Sequence, residues 1–146
     1  VKKYDLTYEI RGLVPKTVIV ALQEELTITE DVDSEVDRAA GQFGYYAVLA
    51  EKAESRYDRL KLQYELWESD NQTAKDEDNV EKSEKKYTGP QMKAYILSLP
   101  KYKSYQMKLI ELREQRNILR AVAKAFDKKA DLVQTKACNR RSESRK

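Results

Sequence analysis

Three patterns of apolar and polar positions follow one another along the chain. Residues 1–12 alternate, with Tyr4, Leu6, Tyr8 and Ile10 apolar between polar Asp5, Thr7 and Glu9. A period of two predicts an extended N-terminal arm over 1–16. Gly12 and Pro15 interrupt it, and Thr17 is placed to cap a short helix over 17–26. Beyond Asp31 and Asp33, either of which can cap the next element, the period changes. Val32, Val36, Ala39, Phe43, Tyr46, Ala50, Ala53, Tyr57, Leu60, Tyr64 and Trp67 follow at alternating steps of four and three. That is an unbroken heptad seam. It predicts a long helix over 32–68, about 54 Å in length for the seam at 1.5 Å per residue. Small alanines alternate with large rings along it, a composition suited to interdigitation against a facing helix.

From Glu68 the chain turns polar, and Val80 is the one large apolar residue before Tyr87. Residues 69–89 therefore predict a polar connector. Thr88-Gly89-Pro90 starts a short helix over 90–98, and Pro100 sits in the first turn of a last helix over 100–138. Its seam runs Tyr102, Tyr105, Leu109, Leu112, Arg116, Leu119, Ala123, Phe126, Ala130, Val133 and Ala137, again in heptad steps. Arg116 interrupts it, as a polar group that sets register does at some expense in stability. Ile110, Ile118, Val122 and Leu132 widen the stripe. Both seams span 36 residues, so the two helices are expected to pack antiparallel as a helical hairpin. The predicted fold is all-α, a single helical domain assembling with other copies as a coiled-coil-like oligomer. Leu109, Leu112, Arg116, Leu119, Phe126 and Val133 are the candidate self-association residues. Residues 139–146 form a basic tail.

Composition agrees with long helices and a narrow buried stripe: 40% of residues are apolar and 36% charged, with only 4 Gly and 3 Pro. It also narrows the chemistry. The chain has no histidine, which removes histidine-based triads, and one cysteine, Cys138, which leaves no internal disulfide or cysteine zinc site. Asp76-Glu77-Asp78 lacks the glycine and spacing of a calcium loop, and no phosphate loop or nucleophile elbow is present. The expected protein is not an enzyme, takes no cofactor or metal, and has no catalytic residues. The longest apolar run, Val18 to Leu22, is far short of the roughly 20 residues that cross a bilayer. No signal peptide is visible. A cytoplasmic protein without a membrane partner is expected.

Charge is distributed unevenly. Residues 1–73 carry nine basic and 15 acidic side chains, a net −6; residues 74–146 carry 19 and ten, a net +9. The halves can attract each other, attract copies, or present the basic half to a polyanion. Within 85–110 there are six lysines (85, 86, 93, 101, 103, 108), four tyrosines (87, 95, 102, 105) and no acid. Ammonium groups neutralise phosphates and release counterions, while rings stack on unpaired bases. Single-stranded nucleic acid fits both. Lys85, Lys86, Tyr87, Lys93, Lys101 and Lys103 are the candidate contacts. Tyr102 and Tyr105 lie on the seam and are expected in the core. The competing reading is a helix face merely solvated by lysine.

Several segments also occur in a characteristic order. Leu22-Gln23-Glu24-Glu25-Leu26 opens acidic. Leu60-Lys61-Leu62-Gln63-Tyr64-Glu65-Leu66-Trp67 closes the first long helix. Glu81-Lys82-Ser83-Glu84 precedes Met92-Lys93, and the last helix carries Ala121 to Phe126, Lys129, Leu132 and Arg140-Arg141. Over about residues 22–145 this order resembles the UvsY-like recombination mediators of T4-like bacteriophages. In that family a Leu-Lys-x-Arg segment ahead of aromatics is implicated in binding single-stranded DNA. Lys61 matches its lysine; Gln63 stands where its arginine would be, with Arg59 as the available substitute. The resemblance implies a hexameric or heptameric ring, built through the last helix, that binds single-stranded DNA. It implies partners as well: a RecA-type recombinase and the single-strand-binding protein it displaces, in the host cytoplasm. A coiled-coil structural or assembly protein without nucleic-acid binding is the alternative. A monomeric bundle with a small-ligand pocket is a third.

Overall fold

The computed structural model describes residues 7–10 and 18–145, with side-chain packing from residue 24 onward. The remainder of the N-terminal arm, including Gly12, Pro15 and the Thr17 cap, lies outside the described residues. Strand β1 (Thr7–Ile10) pairs antiparallel with β2 (Val18–Ala21), Thr7 opposite Ala21 and Ile10 opposite Val18. Helices α1 (Leu22–Leu26), α2 (Val32–Glu81), α3 (Gly89–Ser98) and α4 (Pro100–Glu143) follow. Apart from the small ribbon, the architecture is the all-α helical hairpin that the two seams predict. The short helix expected over 17–26 is corrected: residues 18–21 are strand and only 22–26 are helical. Val18, Ile19 and Val20 are β-branched, stiff at χ1 and favoured in a paired strand, and β1 supplies the partner.

The chain divides into two units, Val1–Glu54 with Gln115–Lys146, and Ser55–Glu114. In the first, α2 and α4 pack antiparallel. Tyr46, Leu49, Ala50 and Ala53 meet Leu119, Val122, Ala123 and Phe126 in one core cluster; Val32 meets Val133 and Ala137 in another. The alternation of small and large residues does what packing requires. Alanines at 50, 53 and 123 leave room for the Tyr46 and Phe126 rings, which stack with centroids 4.6 Å apart and 14° between planes. Phe43 is the one α2 seam position that stands exposed. Arg116, the polar break in the second seam, has an answering charge. Its Nε lies 3.6 Å from Glu54 Oε2, which Arg120 also contacts at 2.6 Å. Asp31 provides the N-cap of α2, accepting from the Ser34 backbone N–H at 3.2 Å.

A polar cluster fixes α1 and the segment after it onto this unit. Tyr46 donates its hydroxyl to Glu25 at 2.8 Å. Desolvation, and then the Glu25 carboxylate, push that phenol well above the ordinary tyrosine value. Lys129 lies inside, with Nζ 3.0 Å from Glu35 Oε2 and 3.2 Å from Gln42 Oε1, and donating also to the Glu25 carbonyl. The ammonium thus donates to two acceptors and forms an ion pair with the Glu35 carboxylate. Thr29 donates to the other Glu35 oxygen at 3.1 Å. The Lys129 hydrogen bond outweighs desolvation and holds the Glu35 carboxyl below its ordinary value.

In the second unit α2 continues to Glu81, which corrects the expected connector over 69–89. The stretch is polar because its inward face is polar. Asn71, Gln72, Lys75, Asp76 and Asp78 are half-buried and Asn79 is fully buried. Local pairs support the helix: Asp78 lies 3.4 Å from Lys75 and 3.0 Å from Lys82, and Asn71 donates to the Trp67 carbonyl at 2.7 Å. Lys75 also places its ammonium 5.2 Å and 5.4 Å from the ring centroids of Tyr87 and Tyr95. The helix ends in a Schellman motif. The Glu84 N–H bonds to the Asn79 carbonyl at 2.8 Å and the Ser83 N–H to the Val80 carbonyl at 3.1 Å, with Ser83 left-handed at φ 56°. A side chain there is strained. Ser83→Gly is expected to stabilise the protein by about 0.5–1 kcal/mol, because the relief of the left-handed penalty exceeds the added chain entropy. A higher urea midpoint checks this; an unchanged or lower one contradicts it.

Thr88 caps α3 in a reciprocal box with Gln91, as Thr-Gly-Pro suggests. Leu99 is extended, as a residue before proline must be when the next helix starts at Pro100. At its far end α4 continues to Glu143, so most of the expected basic tail is helical. Arg140 and Arg141 favour the negative end of the helix dipole, and Arg140 donates to the Glu30 carbonyl at 3.0 Å. Among the described residues no helix is long and apolar enough to cross a membrane.

Candidate nucleic-acid interface

All eight nucleic-acid candidates fall in the unit formed by residues 55–114. Arg59 and Lys61 are exposed on α2, Lys85 and Lys86 on the turn after it, Lys93 on α3, and Lys101 and Lys103 on the first turns of α4. Among the described residues Arg59, Lys61, Lys85, Lys93, Lys101 and Lys103 form no ion pair. Lys86 has a loose one, 3.9 Å from Asp76 and well exposed, which contributes little in water.

Two ring clusters lie in the same unit. In the first, α2 contributes Tyr64 and Trp67, and α4 contributes Tyr102 and Tyr105. Trp67 and Tyr105 have centroids 5.3 Å apart. Tyr64 lies 5.8 Å from Tyr105, 5.9 Å from Trp67 and 6.4 Å from Tyr102. All four rings are half-buried. Lys61 precedes Tyr64 by three residues, and therefore shares its helix face; Lys101 and Lys103 flank Tyr102. Desolvation, and after it the Glu68 carboxylate, push the Tyr64 phenol up, so it stays a neutral hydroxyl at physiological pH. In the second cluster Tyr87 and Tyr95 meet edge-on at 6.2 Å beneath the Lys75 ammonium. Lys85, Lys86 and Lys93 belong to the segments that carry these two rings. Tyr87 is thus already engaged, and the ring assembly with free cations beside it is the first cluster.

The unit has an acidic side as well. Residues 65–84 of α2 and its cap hold eight acids and two lysines, whereas 85–110 hold six lysines and no acid. Any phosphate backbone must keep to the lysine-bearing segments and avoid the end of α2.

The self-association candidates are differently placed. Leu119, Phe126 and Val133 are fully buried in the core between α2 and α4, and Arg116 faces Glu54. Leu109 and Leu112 are half-buried. Exposed apolar side chains occur instead at Leu62, Leu66, Met107 and Ile110 in one unit, and at Tyr45, Val48 and Leu132 in the other. Among the described residues no group of three or more histidine, cysteine or acidic side chains is arranged to hold a metal ion, and Cys138 is exposed.

Sequence reasoning assigned Tyr102 and Tyr105 to a closed core and did not join them to Tyr64 and Trp67. The signal was available: in an antiparallel hairpin the last turns of one seam face the first turns of the other, and those positions are aromatic in both. Compared with protein families, curated proteins and solved structures, the chain finds no match.

Proposed function

We propose that this chain is a non-enzymatic, single-stranded DNA-binding recombination mediator of the UvsY-like kind. It forms a hexameric or heptameric ring and helps a RecA-type recombinase load onto DNA covered by single-strand-binding protein. ATP turnover belongs to the recombinase. The observation that carries the reading is the presence, in one unit of the chain, of six cations that make no ion pair among the described residues, together with partly buried rings. The order of segments shared with the family supports it, as does the Lys61 match. A ring multiplies weak contacts from each subunit into usable avidity.

Charge reversal at Lys61, Lys93 and Lys101 tests it. The triple variant Lys61→Glu, Lys93→Glu, Lys101→Glu is expected to bind a labelled oligonucleotide at least about 30-fold more weakly at low salt, with each reversal losing a phosphate contact. All three side chains are exposed, so helicity and assembly mass should be unchanged. Normal affinity in that variant would remove this strand path. The second reading, a coiled-coil assembly protein without nucleic-acid binding, draws on the acidic end of α2 and the exposed apolar faces. It predicts wild-type oligomers that ignore DNA at every salt concentration.

A further inference from the structure

We propose that the four-ring cluster of Tyr64, Trp67, Tyr102 and Tyr105 is a base-stacking subsite, taking unpaired nucleobases while the lysines beside it hold the phosphates. The inference rests on the DNA-binding reading and adds which atoms meet the bases. Three observations carry it.

The rings do not form a closed core. In the unit that contains them, Ile96 and Asn79 are the only buried side chains among the described residues, whereas Leu49, Leu119 and Phe126 in the other unit are at most 1% exposed. The four rings are partly rather than fully buried, so each keeps some surface in water, and a flat π-face is what a splayed base covers. The rings are also mutually tilted rather than packed face to face, with interplanar angles of 35° to 64° across the four contacts. No two of the four are therefore stacked face on face, although the edge-to-face contacts of Tyr64 each cover part of one face.

Charge selects the occupant. Lys61 shares a helix face with Tyr64, and Lys101 and Lys103 adjoin Tyr102 in sequence; none of the three makes an ion pair among the described residues, while Glu68 hydrogen-bonds Tyr64. Cations alongside rings suit a polyanion carrying flat apolar groups. An acidic partner helix would meet the lysines but not need the rings. A second copy would cover the rings but bring its own lysines against these.

Trp67 is the only tryptophan in the chain, so its emission reports on this cluster alone. The probe is an oligothymidylate, added to the intact protein at low salt, with binding followed separately by anisotropy of a dye on the DNA. The expected result is quenching of Trp67 emission that saturates with the anisotropy. Trp67→Leu should bind about tenfold or more weakly, and Trp67→Phe should recover most of the affinity because a ring is restored. Binding without any change in Trp67 emission, and with Trp67→Leu at wild-type affinity, overturns this subsite and leaves the DNA-binding reading standing. Absence of binding by wild-type protein overturns both. A Trp67 shift that follows protein concentration and ignores added DNA assigns the rings to contact between copies and overturns the subsite. Should Trp67→Leu fail to fold, the wild-type emission titration still decides.

Discussion

Lys129→Met is expected to destabilise the protein by about 3–5 kcal/mol, the usual consequence of removing one partner of a buried ion pair. Lys129 and Glu35 are each at most 3% exposed at the side chain, and their charged atoms are 3.0 Å apart. Methionine fills similar volume, so the loss is electrostatic rather than a cavity. It leaves the Glu35 carboxylate in the interior with only the Thr29 hydroxyl, and frees the Gln42 and Glu25 acceptors that Lys129 had met. Protonation of Glu35 can relieve part of the cost but cannot restore the two hydrogen bonds that Lys129 made to Gln42 and Glu25. The paired variant Glu35→Leu, Lys129→Met should be markedly more stable than Lys129→Met alone, since neither charge is then stranded. Urea denaturation of the three variants, followed by far-ultraviolet circular dichroism, provides the check. A Lys129→Met protein within about 0.5 kcal/mol of wild type, the range of ordinary surface substitutions, would mean that the pair is not buried in solution.

The helical hairpin was legible because apolar side chains alone determine where long helices bury a stripe. Every α4 seam position from Tyr102 to Ala137 is buried or half-buried, and on α2 only Phe43 is exposed. Arg116 was correctly singled out as a polar seam residue; its partner Glu54 was not visible, because partner choice depends on the register between helices. Inward positions that are polar leave no such stripe. Asn71, Gln72, Lys75, Asp76, Asp78 and Asn79 form the inner face of α2, with Lys75 paired to Asp78 and docked under two tyrosines, and a count of apolar residues cannot detect that. Lys129 is hidden for the same reason: a lysine in the charged run Asp127-Lys128-Lys129 reads as a surface residue until Glu35, 94 positions away, is brought against it. The ribbon was missed because Val18 to Val20 lie next to a true helix start at Leu22, and Thr17 resembled its cap.

The candidate interface divides along similar lines. Exposure of the lysines followed from their chemistry. The meeting of Tyr64 and Trp67 with Tyr102 and Tyr105 depends on antiparallel register, which places the aromatic end of one seam beside the aromatic start of the other. Tyr87 looked available from sequence, but its ring is held by Lys75 and Tyr95.

Affinity of the wild-type protein for a single-stranded oligonucleotide, measured across salt concentrations, tests the central claim. Each phosphate neutralised on a single strand contributes about −0.7 to the slope of log affinity against log salt. Engagement of about four of the six cations without an ion pair among the described residues gives a slope near −3 per subunit, and a loss of ~50-fold on raising salt fourfold. The account predicts a straight line of that steepness, with tight binding at the low-salt end. No detectable binding at low salt, or an affinity indifferent to salt, would contradict it.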